Sequence, residues 1–232
     1  MAYALECEAL NKHYGTRAAL TNLTVHFQQG RIIGLLGPNG SGKTTLLKLA
    51  AGLLMPTGGA IRVYGQQPGV ATKGMTAYLP DRLALPSYMY TRDVMAFYQD
   101  FFMDFDAEKA KSMLADLGIG AKDKIGAMSK GTREKLQLAL TMSRAARLYL
   151  LDEPIGGVDP AARDYILNTI IRNYSEDATL ILSTHLIGDI ETILDDVVFL
   201  QNGQINLVQS VDSVREQYGK SVDAVFREVF RC

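Results

Sequence analysis

The sequence contains few cysteines and no long hydrophobic run. Its two cysteines, Cys7 and Cys232, stand near opposite ends of the 232-residue chain, and neither belongs to a CxxC pair. This usage is typical of a reducing compartment and offers no zinc site. A bilayer-spanning helix needs about 20 consecutive apolar residues, yet the apolar run 32–36 stops at Gly37. The first residues also lack a basic segment followed by an apolar one, so we expect no signal peptide and a cytoplasmic location.

An excess of either charge is also missing. The 24 lysines and arginines are balanced by 25 aspartates and glutamates, for a net charge of -1. Because binding to a nucleic-acid backbone needs many unpaired basic side chains, we expect no nucleic-acid partner. The hydrophobic share of 47% and the charged share of 21% are ordinary for a globular protein. Composition therefore indicates a globular protein but does not indicate an activity.

Hydrophobic periodicity divides the chain into three parts. Short alternating segments at 5–9 and 23–27 predict strands near the N-terminus. The stretch 83–145 repeats apolar residues at helical spacing, which predicts an inserted α-helical lobe. Beyond it, strand and helix patterns alternate, which favours a mostly parallel sheet with crossover helices. We expect 210–232 to form a helical tail and the whole chain, 1–232, to be a single domain.

A glycine-rich loop follows an apolar strand. Residues 37–44 read GPNGSGKT and match G-x-x-x-x-G-K-[ST] at every fixed position. Glycines allow successive backbone N–H groups to face a polyphosphate, and the helix predicted at 44–54 would add its positive end. Lys43 would place a cation beside the β- and γ-phosphates, and the hydroxyl of Thr44 would bind Mg²⁺. A plain strand–helix turn explains the glycines but not Lys43 and Thr44, so the loop predicts a nucleotide site.

Two carboxylates end a second apolar strand, predicted at 148–152. Asp152 and Glu153 would reach the carboxyl edge of the sheet, where open α/β sheets bind ligands. We expect Asp152 to hold Mg²⁺, directly or through water, and Glu153 to act as a general base on the attacking water. Taken alone, the pair could equally end a strand at a solvated turn.

His185 ends the next predicted strand along the chain. A histidine at this place can form hydrogen bonds with a γ-phosphate and with the attacking water. A lone histidine at a strand end usually has no such role. Here the strand follows the acidic one in chain order, so we expect both to end at the same edge of the sheet.

The order of these motifs resembles the ATP-binding subunit of ABC transporters. Residues 37–44 resemble its Walker A motif, and residues 148–152 resemble its Walker B motif. Glu153 matches the catalytic glutamate of the family, and His185 matches its switch histidine. Many ATPases share a Walker A motif, so the order of several motifs is the more selective feature.

Three further segments extend the resemblance over most of the chain. Tyr14 matches the aromatic residue that stacks on adenine. Residues 157–159, GVD, resemble the D-loop. Residues 128–132, MSKGT, stand where the family signature, usually LSGGQ, belongs. Read physically, Ser129 is also a good N-cap residue, so a plain capped helix start is the alternative interpretation of that segment.

The resemblance implies a full set of site residues. The expected catalytic residues are Glu153, His185 and Lys43. The expected Mg²⁺ ligands are Thr44, Asp152 and Asp81. The residues expected to contact ATP are Tyr14, Gly37, Pro38, Asn39, Gly40, Ser41, Gly42, Lys43, Thr44, Thr45, Ser129 and Gly131.

The resemblance also implies a fold and partners. The fold would be a P-loop NTPase core of α/β class with a mostly parallel sheet, an N-terminal antiparallel β-subdomain and the inserted α-helical lobe. Two ATP-binding subunits, identical or paralogous, would pack head to tail, so that Ser129 and Gly131 touch the γ-phosphate on the partner. Permease subunits on separate chains would span the membrane, with this chain peripheral on its inner face.

Two places depart from the family pattern. In the signature, Lys130 replaces the first glycine and Thr132 replaces the glutamine. The charge of Lys130 would either favour a phosphate or point to solvent, and we expect the second. Asp81 stands where the family has the glutamine of its Q-loop, and a carboxylate there can still bind Mg²⁺ or its waters. Both departures are similar to exporter-type cassettes of the ABC-2 kind.

Other interpretations remain at this point. The aromatic stretch 88–105 would form either the core of the helical lobe or a groove for a membrane partner. A non-transport ABC ATPase acting on ribosomes or nucleic acid is the main alternative function, although the chain has one Walker A motif and no room for a coiled-coil insertion. A metabolic kinase would use the same phosphate loop, but Glu153 and His185 indicate activation of water.

Overall fold

A computed structural model describes residues 2–156, 160–175 and 177–230 of the chain. The D-loop residues 157–159 and Cys232 lie outside these ranges. Cys7 is buried, and burial raises the pKa of its thiol to about 12. Within the described chain, none of the helices combines the length and the apolarity that a bilayer crossing requires.

Two sheets organise the described chain. The smaller one is antiparallel, in the order β2-β1-β4. The larger one has the order β5-β6-β7-β3-β8-β9, and all its strands are parallel except β9, which returns from β8 through the turn at Asn202 and Gly203. The strands are β1 Tyr3–Tyr14, β2 Arg17–Gln28, β3 Ile32–Leu36, β4 Gly58–Val63, β5 Thr76–Leu79, β6 Leu148–Asp152, β7 Thr179–Thr184, β8 Asp196–Gln201 and β9 Gln204–Ser210.

Helices cover both faces of the larger sheet and build the lobe inserted between β5 and β6. They are α1 Lys43–Ala50, α2 Val70–Gly74, α3 Thr91–Phe101, α4 Ala107–Asp116, α5 Lys130–Met142, α6 Pro160–Asn173, α7 Ile187–Ile190, α8 Val211–Tyr218 and α9 Val222–Phe230. Two short 3₁₀ turns, Ile125–Ala127 and Glu191–Ile193, complete the set. In the C-terminal segment, the rings of Phe226 and Phe230 pack on Phe199 of β8.

The parallel strands are buried on both faces, as their continuous apolar runs require. Alternate residues of β6 enter opposite cores. Leu148 and Leu150 join the core shared with the small sheet and α1. Tyr149 and Leu151 join the core under the helical lobe and the C-terminal helices. The carboxyl ends of β3, β6 and β7 are therefore held between two packed layers.

Strand β2 begins at Arg17, well before the predicted segment 23–27, and two further predicted boundaries were wrong for identifiable reasons. Strand β1 is much longer than the predicted segment 5–9, because a register shift between Cys7 and Leu10 lets both side chains enter the core and breaks the simple alternation. Helix α1 ends at Ala50, short of the predicted 54, because Gly52 adopts a φ of 66° and turns the chain away.

The aromatic residues of the helical lobe divide between its core and its surface. Val94 is buried at 2% exposure, and Tyr98 packs against the same core. Phe97 and Phe101 lie on the outer face of α3, where they are 46% and 68% exposed. Tyr98 therefore fits the interpretation as a lobe core, and Phe97 and Phe101 fit the interpretation as a surface for a partner.

Arg144 joins the helical lobe to the larger sheet. Its guanidinium forms a two-pronged ion pair with Asp104, with N–O distances of 2.8 and 2.9 Å. It also donates to the carbonyl oxygens of Thr76 at 2.6 Å and Gly74 at 2.8 Å, and it stacks on the ring of Phe102. One buried side chain thus connects α5, the loop before α4 and the start of β5.

We predict that Arg144→Ala destabilises the fold strongly. Removing one partner of a buried ion pair costs about 3–5 kcal/mol because the other charge is left without compensation. The free energy of unfolding, measured in urea, is expected to fall by that amount. Lys111→Ala is the control, since it removes an exposed pair with Glu108 that contributes at most about 1 kcal/mol. Equal effects of the two substitutions would contradict the prediction.

Candidate functional site

The phosphate loop between β3 and α1 needs glycine at two positions. A Cβ on Gly37 would lie 2.2 Å from the carbonyl oxygen of Leu200. Gly42 has a φ of 113°, and its Cβ would lie 2.7 Å from the carbonyl oxygen of Ala19. Within the described chain no side chain caps α1, so its first backbone N–H groups are available to an anion.

Lys43, the first residue of α1, points back over this loop. Its side chain is 6% exposed, and its Nζ donates to the carbonyl oxygens of Gly37 at 2.7 Å and Pro38 at 3.3 Å. The same Nζ lies 3.3 Å from Oε1 of Glu153. The ammonium group therefore lies between the phosphate loop and the carboxylate that follows β6.

Asp152 is the most buried acidic group of the site, at 1% exposure. Its Oδ1 accepts hydrogen bonds from Thr44 Oγ1 at 3.0 Å and from Ser183 Oγ at 2.7 Å. Burial raises the pKa of its carboxyl; the bonds from Ser183 and Thr44 oppose that rise, and the negative charges of Asp81 and Glu153 add to it. Tyr78 approaches from β5, with its hydroxyl 3.5 Å from Oδ2.

Glu153 has a backbone conformation that is rare for a residue with a side chain. Its φ is 50°, in the left-handed region. Its carboxylate is held from both sides, by Lys43 Nζ at 3.3 Å from Oε1 and by His185 Nδ1 at 3.0 Å from Oε2. The ends of β6 and β7 and the start of α1 thus meet at one carboxylate.

Oxygen donors that suit Mg²⁺ lie together here. The Thr44 hydroxyl and the Asp152 carboxylate are 3.0 Å apart, and Asp81 lines the same cavity as Thr44. Mg²⁺ in phosphate sites takes one or two carboxylates and completes its shell with phosphates and waters. The donor set fits that ion, although the described residues contain no cluster of three or more carboxylate, histidine and cysteine side chains.

A cavity of about 700 Å³ opens above this cluster. The residues that line it are Tyr14, Arg17, Ala19, Asn39, Gly40, Ser41, Gly42, Lys43, Thr44, Thr45, Asp81, Lys130, Glu153, Gly156 and His185. Gly37 and Pro38 lie beneath it, in contact with Lys43. The structure therefore brings together most of the residues that the sequence indicated.

Five predicted residues are not among those lining this cavity. Gly37 and Pro38 contact Lys43, and Asp152 is buried beside Thr44. The other two lie in the signature segment. Ser129 and Gly131 stand at the start of α5, where Ser129 Oγ accepts a hydrogen bond from the backbone N–H of Thr132 at 3.1 Å. This is the capped helix start that the sequence allowed as the alternative. Lys130, which stands between Ser129 and Gly131, does line the cavity.

Sequence reasoning did not place Arg17, Ala19, Lys130 and Gly156 in the cavity, and it missed the contact of Ser183 with Asp152. Arg17 lines the cavity because the tight turn after β1 pairs it with Tyr14. A basic residue three positions after an aromatic one, across a glycine, was the available signal. Ser183 reaches Asp152 because the two residues are partners in the β6–β7 register. The signal there was a polar residue inside an apolar strand.

Comparison with known proteins decides the family. The ABC transporter family model matches residues 20–156, more than half of the chain. The chain belongs to the ABC transporter family. It is an ATP-binding and ATP-hydrolysing subunit of an ABC transporter, as the order of its motifs predicted.

Individual relatives agree with this assignment. The chain is 31% identical over 223 residues to the uncharacterized ABC transporter ATP-binding protein YxlF of Bacillus subtilis, covering 94% of this chain and 75% of that one. It is 27% identical over 210 residues to the lantibiotic transport ATP-binding protein SrtF of Streptococcus pyogenes, covering 90% and 91%. Neither is named for work on ribosomes or nucleic acid.

A solved structure confirms the fold class. The structure of an ATP-binding subunit of an ABC transporter superposes with a TM-score of 0.86 at 26% identity, and the match covers 98% of this chain and 99% of that one. The predicted P-loop NTPase core, antiparallel N-terminal sheet and inserted helices are thus confirmed. The single-domain boundaries, 1–232, stay a prediction.

We predict that Lys43→Ala weakens ATP binding roughly 10- to 100-fold, because a hydrogen bond to a charged group contributes about 1.5–3 kcal/mol. Titration with a fluorescent ATP analogue measures the Kd. The control is Lys48→Ala, which removes the same charge from the last turn of the same helix and is expected to leave the Kd unchanged. An unaltered Kd in Lys43→Ala would show that this ammonium does not bind the phosphates.

Proposed function

We propose that this chain drives an exporter-type ABC transporter by hydrolysing Mg²⁺-bound ATP in a head-to-tail dimer. The membrane subunits would be separate chains, and this chain would sit against them on the inner face of the membrane. The observation that carries the proposal is the Glu153 carboxylate, held between Lys43 and His185 at the mouth of the phosphate loop.

The geometry suits hydrolysis by activated water. Glu153 would accept the proton of the attacking water as a general base. Lys43 would place its charge beside the β- and γ-phosphates, where negative charge builds up in the transition state. With Nδ1 engaged by Glu153, His185 has Nε2 as the ring nitrogen for contact near the γ-phosphate.

Mg²⁺ would be held by Thr44 and Asp152, with Asp81 as a further ligand, directly or through water. Bound there, the ion would neutralise charge on the β- and γ-phosphates. The hydrogen bond from Thr44 to Asp152 keeps both oxygen donors in place. Asp81 is exposed and lines the cavity, and its negative charge helps to raise the pKa of Asp152.

The dimer proposal is supported by the position of the signature. Ser129 is exposed at the start of α5, and neither it nor Gly131 is among the residues lining the cavity of its own chain, although Lys130 between them is. The start of a helix offers free N–H groups and a positive dipole end to an anion. In a head-to-tail pair, this end of α5 would meet the γ-phosphate bound by the partner, so each site would need two chains.

Two features support an exporter with separate membrane subunits. Lys130 and Asp81 occupy the departing positions that resemble exporter-type cassettes, and one relative is named for lantibiotic transport. On α3, the stacked rings of Phe97 and Phe101, with centroids 4.3 Å apart, form an exposed apolar stripe. Such a stripe is typical of a protein interface, and we propose that a membrane subunit covers it.

Glu153→Gln tests the proposed base. The amide has nearly the same shape but cannot accept the proton, so we expect hydrolysis to be abolished while ATP binding is retained. The variant should then accumulate as an ATP-bound dimer, which size-exclusion chromatography with and without ATP detects. Glu216→Gln, an exposed change on α8, is the control and should behave as wild type. Full activity in Glu153→Gln would refute the assignment.

Mixing two inactive variants tests the shared site. Ser129→Arg should block the signature with a bulky side chain, and Lys43→Ala should disable the phosphate loop. Each is expected to be inactive alone. In the mixed dimer, one site combines the intact Lys43 of one chain with the intact Ser129 of the other, so phosphate release should return. If the mixture stays inactive, or if the wild-type rate per chain is constant on dilution, the sites are not shared.

A further inference from the structure

Ser183 is a fully buried hydroxyl that directly follows three apolar residues of β7. It is the fifth residue of β7, after Leu180, Ile181 and Leu182, and none of these four side chains is exposed. A buried hydroxyl is unfavourable unless its hydrogen bonds are satisfied. Its partners therefore indicate why this position is polar.

The hydroxyl of Ser183 contacts both carboxylate residues that end β6. Its Oγ donates to Asp152 Oδ1 at 2.7 Å and accepts from the backbone N–H of Glu153 at 3.1 Å. The carbonyl oxygen of Ser183 accepts from the same N–H at 3.0 Å. A serine hydroxyl has one donor and two acceptor positions, so this one group can serve both neighbours at once.

We propose that Ser183 is a positioning residue for ATP hydrolysis, because its hydroxyl orients the Asp152 carboxylate and the backbone of Glu153 together. The proposal rests on the proposed roles of those two residues. Ser183 does not line the nucleotide cavity, so its effect passes through its neighbours.

The conformation of Glu153 explains why such support is needed. Its φ of 50° is unfavourable for any residue with a Cβ. Strained backbone of this kind persists only where the surroundings determine it by several contacts. The hydroxyl and the carbonyl oxygen of Ser183 both accept from the Glu153 N–H. The direction of the Glu153 side chain towards Lys43 and His185 depends on the backbone that these bonds hold.

The hydroxyl also determines how Asp152 is presented. Thr44 and Ser183 both donate to Oδ1, which leaves Oδ2 with the distant Tyr78 hydroxyl at 3.5 Å. Without Ser183, Oδ1 would keep one donor and the carboxylate could rotate. Groups that orient a metal-binding carboxylate in this way typically affect metal affinity or activity by about 10- to 100-fold.

The test compares Ser183→Ala, Ser183→Thr and Ser183→Cys with wild type. Alanine removes the hydroxyl, threonine keeps it, and cysteine keeps the size with a weaker donor. We expect kcat to fall about 10- to 100-fold in Ser183→Ala, to be largely restored in Ser183→Thr and to be intermediate in Ser183→Cys. The KM and the Kd for ATP should stay near wild type, because Lys43 and the phosphate loop are untouched.

Ser143→Ala is the matched control. Ser143 is equally buried at 0% exposure, and its hydroxyl donates to the carbonyl oxygen of Ala139 at 2.7 Å, at the end of α5. We expect its kcat to be that of wild type. Unfolding midpoints of all variants, together with kcat corrected for the folded fraction, separate a positioning effect from a loss of stability. If Ser183→Ala does not fold, the comparison of kcat between Ser183→Thr and Ser183→Cys decides, and the threonine variant should have the higher kcat.

Three results would overturn the proposal: a wild-type kcat in Ser183→Ala, a kcat in Ser183→Cys equal to that in Ser183→Thr, or a loss in KM and Kd rather than in kcat. The Glu153→Gln variant separates this failure from failure of the proposed function. If Glu153→Gln is inactive but Ser183→Ala is normal, only the positioning role is wrong. If Glu153→Gln is active, the general base is wrong whatever Ser183 does.

Discussion

The buried carboxylate of Asp152 is the contact around which the site is assembled. It accepts from Thr44 at the start of α1 and from Ser183 in β7, so one side chain connects three elements of the core. Burying a charge is unfavourable without such partners. The register that pairs Asp152 with Ser183 therefore also determines the position of Glu153 and its distance from Lys43 and His185.

Packing on both sides of the sheet makes this arrangement rigid. Strands β3, β6 and β7 are neighbours and end at the same edge, with side chains entering two separate cores. Because both cores are closely packed, the loop after each strand starts from a defined point. The site is built on those end points, while Tyr14 and Arg17 reach it from the antiparallel hairpin.

The helical lobe is joined to the larger sheet through Arg144. Arg144 ties the end of α5 to the loop before α4 and to the start of β5, at the end of that strand opposite to the carboxyl edge of the sheet. The exposed residues of the lobe include Ser129 at the start of α5 and the stripe of Phe97 and Phe101. The lobe therefore presents an exposed helix start and an apolar face from a single anchored unit.

The sequence by itself determined the family and the α/β fold class and indicated the site residues, because the phosphate loop, the acidic strand end and His185 are short motifs whose residues are adjacent in the chain. It did not determine strand length at Cys7 and Leu10, the end of α1, or the roles of Arg17 and Ser183. Those depend on a register shift, a left-handed glycine and strand pairing. The register shift and the pairing involve residues that are distant in sequence. Only the tertiary structure decided that Asp152 and Ser183, 31 residues apart, share one hydrogen bond, because register is a property of two strands together.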